Sequence, residues 1–294
     1  MRWNLLAVGL AVLACATAGC ADKEPVRPIS AVVSSPSPSE GASSAPNVRK
    51  MTFHSISLAK EMPFNLYLPP NYSETEKYPV LYLYHGYGGD EDSWLAELGI
   101  GRVADDLIRE GKIRPLIIVS PSIGNSYGFN SESTGKYSDY IVRDVIAYMD
   151  RNFNTEPAKE SRFIGGLSMG GWAALHNAFL YPELFGKAGG HSPAVWMDNW
   201  ADTRGLKDWL YPSEEIRKMR DPFYLADTAD LSGMSVYLDS GDQDYYKFYQ
   251  GAEALDAKLR SRNVRSEYHL SPGGHDADYW IGRLRDYLLF YAGE

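Results

Sequence analysis

The sequence predicts an α/β fold: a three-layer sandwich whose mostly parallel sheet is led by an antiparallel pair. Three observations carry that prediction. Strand-like and helix-like stretches alternate from residue 78 onward, the order that crossover helices between parallel strands require. Tyr78–Tyr84 (Tyr-Pro-Val-Leu-Tyr-Leu-Tyr) and Leu116–Ser120 are continuous apolar runs, the mark of strands buried on both faces. Met51–Ala59 and Pro63–Leu68 instead alternate, as two antiparallel strands with one wet face do.

Each element follows from local pattern. Pro69-Pro70-Asn71 is a turn, and the strand ending at Tyr84 runs into His85-Gly86-Tyr87-Gly88-Gly89. A helix is expected over Ser93–Gly111 and a Gly-, Ser- and Asn-rich loop over Pro121–Lys136. The helix Ser138–Asn152 places Ile141, Val145, Tyr148 and Met149 on one face. Asp139 and Asp144 on the same helix are read as a solvated face. Arg162-Phe163-Ile164 leads into Gly165-Gly166-Leu167-Ser168-Met169-Gly170-Gly171, and an Ala-rich helix, Trp172 to Tyr181, follows. Lys187–His191 is a short strand. The irregular stretch Ser192–Leu231, with Trp196, Trp200 and Trp209, is expected to form small helices over the sheet's carboxyl edge. Strand Ser235–Asp239, helix Phe248–Ser261, strand Ser266–Leu270 and helix Asp278–Tyr291 complete the fold.

Ahead of this domain lie two other segments. Arg2 precedes an apolar run from Leu5 to Ala18, too short for a comfortable membrane span, and then Gly19-Cys20. Residues 1–20 therefore read as a signal peptide, and Cys20 after Thr17-Ala18-Gly19 resembles a lipobox whose cysteine is lipidated; Thr17 stands where Leu is usual. Plain secretion is the alternative. Residues 21–47 hold five prolines, seven serines and no aromatic residue, so they cannot bury enough surface to offset their ordering entropy. The domains expected are thus 1–20 leader, 21–50 linker and 51–294 folded domain. Both cysteines, Cys15 and Cys20, lie in the leader, which excludes disulfides, cysteine-ligated zinc and a cysteine nucleophile from the domain. A net charge of −9 with no Lys/Arg run argues against a nucleic-acid partner.

Gly166-Leu167-Ser168-Met169-Gly170 is G-x-S-x-G between a strand and a helix, the context of a nucleophile elbow. Taken alone it could equally be a Gly-rich turn carrying a solvated serine. A serine hydroxyl needs a base, and the base an orienting carboxylate. The strand at 235–239 ends in Ser240-Gly241-Asp242-Gln243-Asp244, and the strand at 266–270 ends in Ser271-Pro272-Gly273-Gly274-His275-Asp276. Ser168, then an acid, then His275 is the order such sheets use. Asp242 and Asp244 compete as the acid, and spacing does not choose between them. The Met169 amide, opening the helix, and the Tyr87 amide, in the loop after an earlier strand, are the candidate donors to an oxyanion. His85 is a low-ranking pocket candidate, weighed against bracing its own loop by hydrogen bonds.

Four motifs together, Tyr-His-Gly-Tyr-Gly-Gly at 84–89, Gly-Leu-Ser-Met-Gly-Gly at 166–171, Gly-Asp-Gln-Asp at 241–244 and Gly-Gly-His-Asp at 273–276, resemble the esterase D-like branch of the α/β-hydrolases. That branch includes feruloyl and acetyl xylan esterases and the antigen 85 mycolyltransferases. The resemblance covers residues 51–291. It implies Asp244 as the acid, supports Tyr87 as the second oxyanion donor, and carries Ser168 and His275 over directly. Together with the leader, it implies a secreted or lipid-anchored serine carboxylesterase acting on a small-molecule or polysaccharide ester. A membrane partner would come only through the N-terminal lipid. Acyl transfer to a sugar hydroxyl and a non-catalytic binding role are the rival readings.

Gly99-Ile100-Gly101-Arg102-Val103-Ala104 mimics a dinucleotide-binding pattern but follows a helical stretch rather than a first strand, so it carries no weight. The six histidines show no ligand spacing with acids. No metal and no cofactor are expected. Trp94, Tyr127, Phe129, Trp196 and Trp280 lie near loops expected to ring the site, where aromatic faces would stack on sugar or phenolic groups; core packing is the competing reading.

Overall fold

Eight strands form one sheet: β1 (Val48–Ser55), β2 (Lys60–Tyr67), β3 (Val80–Tyr84), β4 (Ile117–Pro121), β5 (Arg162–Leu167), β6 (Lys187–His191), β7 (Ser235–Gly241) and β8 (Arg265–Ser271). This is a computed structural model, and it describes residues 47–197 and 205–293. The expected leader with Cys20, nearly all of the expected linker, and Trp200 lie outside the described residues. Among the described residues no helix is long and apolar enough to cross a membrane.

The spatial order is β1-β2-β4-β3-β5-β6-β7-β8. β1 and β2 pair antiparallel, β2 joins β4 antiparallel, and every other pairing is parallel. From β3 the chain goes outward to β4, then returns to β5 on the other side. The order therefore reverses between β3 and β5, and the loops leaving their carboxyl ends open a crevice there.

Alternation explains why β3 is apolar throughout. Val80, Tyr82 and Tyr84 belong to the core on one face, with Tyr140, Ile141 and Trp172; Leu81 and Leu83 belong to the other, with Trp94, Leu107 and Tyr291. The first face is covered by α2 (the helical run 137–152) and by α3 (Met169–Leu180). All of α3 except Leu180 is buried, and its two polar side chains, His176 and Asn177, are met by hydrogen bonds. The second face is covered by α1 (Ile100–Arg109) and the C-terminal helix Leu284–Ala292.

Several expected boundaries shift for local reasons. The first hairpin turns at residues 56–59, with Ala59 at φ 51, so the strands end and begin earlier than the alternation suggests. The single helix expected over 93–111 is a wide turn at Ser93–Glu97 and then α1, separated by Gly99 at φ 75. The final helix is likewise two, Ala277–Ile281 and Leu284–Ala292. Asp144 is not on a solvated face: its carboxylate accepts from Ser55 Oγ at 2.6 Å and the Ser57 amide at 2.8 Å, tying the hairpin turn to the helix. Asp139 is also largely covered, 3.6 Å from Arg143.

His176, on α3, is buried against Trp172 (ring centroids 4.9 Å, nearly parallel), with Nδ1–H donating to the Arg220 carbonyl at 2.7 Å. Burial lowers its pKa from 6.5 to about 4. Between those values the unfolded chain binds the proton and the folded chain does not. Stability is therefore full above pH 6.5 and falls as the pH drops toward 4, by up to roughly 3 kcal/mol. In urea denaturation at stepped pH, the His176→Gln variant should show a shallower decline than the parent over that window. Parallel profiles would remove His176 as the source.

Candidate active site

β5 ends at Leu167, and Ser168 stands at φ 54, ψ −116, a conformation that costs a non-glycine residue on the order of 1–3 kcal/mol. The surrounding backbone holds it there. Its amide donates to the His191 carbonyl at 2.9 Å, and its carbonyl accepts from the Trp172 and Ala194 amides at 3.1 and 3.0 Å. Gly170 is required by close approach: a Cβ there would overlap the Tyr84 carbonyl at the end of β3. The strained turn lifts a half-buried Ser168 to the crevice between β3 and β5.

Two other loops reach this point. Ser168 Oγ is 2.9 Å from His275 Nε2, and His275 Nδ1 is 3.0 Å from Asp244 Oδ2. A carboxylate only accepts, so Nδ1 carries the proton and the Nε2 lone pair faces the serine hydroxyl. Asp244 Oδ1 takes the Tyr246 amide at 2.7 Å, and the Asp244 side chain has no exposed surface. Asp242 stands apart: it is exposed, and its Oδ1 takes the Gly273 amide at 3.2 Å, joining the acid loop to the histidine loop. The structure thus brings Ser168, His275 and Asp244 together and leaves Asp242 at the rim.

The amide donors lie where the sheet order puts them. Met169 is the first residue of α3, and a first-turn amide has no intrahelical acceptor. The β3 loop passes directly alongside, since a Cβ on Gly86 would lie 3.6 Å from Ser168 Cβ and 2.8 Å from Leu167 Cδ1. Tyr87 follows it, more than half exposed. Gly88 then donates to Asn125 Oδ1 at 2.7 Å, and Gly89 to the Gly86 carbonyl at 3.1 Å, which closes the loop.

His85 does not line a pocket. It has no exposed surface; Nδ1 lies 2.8 Å from the Gly86 carbonyl, and Nε2 accepts from the Ile123 amide at 3.0 Å. Burial lowers its pKa, which favours this neutral, bracing imidazole. Trp94, Tyr127 and Phe129 are core residues: Trp94 donates to the Tyr84 carbonyl beneath the loop, and the other two pack edge-on against Trp172. Core packing, not a rim, is their place.

The rings that do meet His275 are Trp280, Tyr246 and Phe248, all edge-on at 5.1, 5.1 and 5.2 Å. Trp196 is one layer out, against Phe248 at 4.6 Å. Tyr245 is 87% exposed and Tyr246 52%, and the two rings meet edge-on at 5.5 Å, so the acid loop presents two solvent-facing tyrosines on the His275 side. Sequence reading missed Tyr245, Tyr246 and Phe248, although their position just after Asp244 was a usable signal. Among the described residues no group of three or more His, Cys, Asp or Glu is arranged to hold a metal ion.

A model of the family described as "Putative esterase" matches residues 55–291. An endo-1,4-beta-xylanase/feruloyl esterase of Xylanibacter ruminicola is 37% identical over 161 residues, 51% of this chain and 22% of that protein. The chain thus spans about a fifth of that relative's length. An acetyl esterase of Caldicellulosiruptor saccharolyticus is 25% identical over 225 residues, 70% of this chain and 80% of that one. A solved ferulic acid esterase superposes with a TM-score of 0.74 at 22% identity, covering 83% of this chain and 97% of its own, a likeness of fold.

Proposed function

The chain belongs to that esterase family, and we propose that it is a serine carboxylesterase working through an acyl-enzyme on Ser168. One observation carries the reading: the unbroken Asp244–His275–Ser168 series at 3.0 and 2.9 Å, set beside the β3 loop. Ser168 Oγ attacks the ester carbonyl carbon as its proton passes to His275 Nε2. The carbonyl electrons move to oxygen, which the Met169 and Tyr87 amides receive. As the carbon–oxygen bond to the alcohol breaks, His275 gives that proton to the leaving oxygen. Water then repeats the sequence on the acyl-enzyme, freeing the acid and Ser168. Asp244 holds His275 in the productive tautomer and balances the charge it gains.

For the substrate we infer an acetyl or feruloyl ester of a plant polysaccharide. The activities for which the two relatives are named support this, as do the aromatic rings of Tyr246, Phe248 and Trp280 around His275. Export as a lipoprotein anchored through Cys20 belongs to the same reading and rests on the leader sequence alone; loss of membrane retention in the Cys20→Ala variant is its check. The activity is tested on a panel of acetyl and butyryl aryl esters, methyl ferulate and acetylated xylan, with Ser168→Ala as control. Turnover of one or more esters by the parent alone is expected. No turnover, with no labelling of Ser168 by a fluorophosphonate, would favour a binding role. An acylated sugar product in preference to free acid would make the protein a transferase.

A further inference from the structure

We propose that Asp239 is a positioning residue for His275, acting through the Tyr279 hydroxyl. Asp239 lies on β7 with no exposed surface and is absent from the reaction steps. Its Oδ2 accepts from Tyr279 Oη at 2.8 Å and Tyr287 Oη at 2.9 Å, and its Oδ1 is 3.1 Å from His191 Nδ1. His191 Nε2 is in turn 3.2 Å from Tyr291 Oη. This hydroxyl, imidazole and carboxylate repeat the chemistry of Ser168, His275 and Asp244 inside the core. None of its members is open to a substrate, since Asp239, His191, Tyr287 and Tyr291 all have zero exposure. Its effect must pass through what it touches.

What it touches is the segment that carries the base. Tyr279 is four residues beyond His275, in the short helix Ala277–Ile281, which Asp276 caps by accepting the Tyr279 amide at 3.0 Å. The Tyr279 ring lies under Gly273, where a Cβ would come within 2.6 Å of Cδ2. Its neighbour Trp280 stands edge-on to His275 and donates to Ser192 Oγ at 3.2 Å. The Ser192 amide donates to the Asp239 carbonyl at 2.8 Å. Besides its ties to the acid loop at Gly273 and His275, the segment 273–280 is therefore moored to the core through Tyr279 and Trp280, and both of these moorings lead to Asp239. On the opposite side the His191 carbonyl receives the Ser168 amide, so base and nucleophile are referred to one buried carboxylate. A buried carboxylate is costly unless its lone pairs are met, and here its three donors fix its position. Misplacing a catalytic group by about 1 Å can cost on the order of 100-fold in rate.

The two tyrosines on Oδ2 provide the test. Tyr279→Phe and Tyr287→Phe each delete one phenol donor from the same oxygen, but only Tyr279 belongs to the His275 segment. Both variants should lose melting temperature to a similar degree. Only Tyr279→Phe should lower kcat, by about tenfold or more with KM unchanged. In the free protein, the downfield proton signal of the imidazole N–H bonded to Asp244, identified by its loss in His275→Gln, should broaden in Tyr279→Phe and persist in Tyr287→Phe. Equal responses of kcat and of that signal in the two variants, or no response in either, would overturn the proposal. The inference rests on the reading of His275 as the base. A parent protein that hydrolyses no ester refutes that reading, and the proton signal then decides the positioning role by itself.

Discussion

Ser168→Ala is expected to abolish ester hydrolysis, with a loss on the order of 10⁴- to 10⁶-fold in kcat. The reason is geometric. The Oγ is the only group that the Asp244–His275 series is aimed at, and no second hydroxyl is held by His275 Nε2 among the described residues. The fold should not suffer, because alanine keeps the Cβ at a position already strained at φ 54 and loses only a half-buried hydroxyl. Thermal melting at or slightly above the parent value, together with failure to label with a fluorophosphonate, is the expected pair of results. Retained turnover in a clean preparation would refute the mechanism, and a collapsed melt would mean that the hydroxyl had been structural.

The second large effect separates the two acids. Asp244→Asn should lower kcat by roughly 10³- to 10⁴-fold, since an amide at that site presents a donor to His275 Nδ1 and favours the wrong tautomer. Its side chain is also fully buried, so the lost charge is one that solvent does not replace. Asp242→Asn should change kcat by less than about threefold, because the exposed side chain serves only the Gly273 amide and asparagine still offers an oxygen there. Initial rates on one aryl ester suffice to compare them. A larger loss at 242 would transfer the role.

Much of this fold is legible in sequence because its strands are buried on both faces. The runs at 78–84 and 116–120 have no wet side to interrupt them; the observed β3 lies inside the first, and β4 overlaps the second and ends one residue later at Pro121. Breaks within helices were less legible. Gly99 at φ 75 divides the expected helix 93–111, although nothing in the apolar pattern marks the break except the glycine. Asp144 shows a different limit. On its helix it looks like an ordinary surface acid, and only the distant hairpin turn, 89 positions away at Ser55, gives it donors.

The site divides in the same way. Ser168, the two candidate acids and His275 each follow a strand, so residue type and loop position single them out, and their glycines mark where backbone must pass close to backbone. These are interactions within a few residues, and local sequence determined them. Which carboxylate meets the imidazole, which rings enclose it, and whether His85 faces substrate or core depend on contacts between loops far apart in the chain; Ser168 and His275 are 107 positions apart. Those contacts follow from strand order and from the direction each side chain takes at its strand end, and neither is written in spacing. Asp244 is buried, held by the Tyr246 amide and His275, while Asp242, two residues away, is exposed and holds the Gly273 amide. Spacing left that choice open, the family resemblance pointed to Asp244, and only the tertiary structure shows that carboxylate meeting the imidazole; it also ties Asp239 to the segments that carry Ser168 and His275.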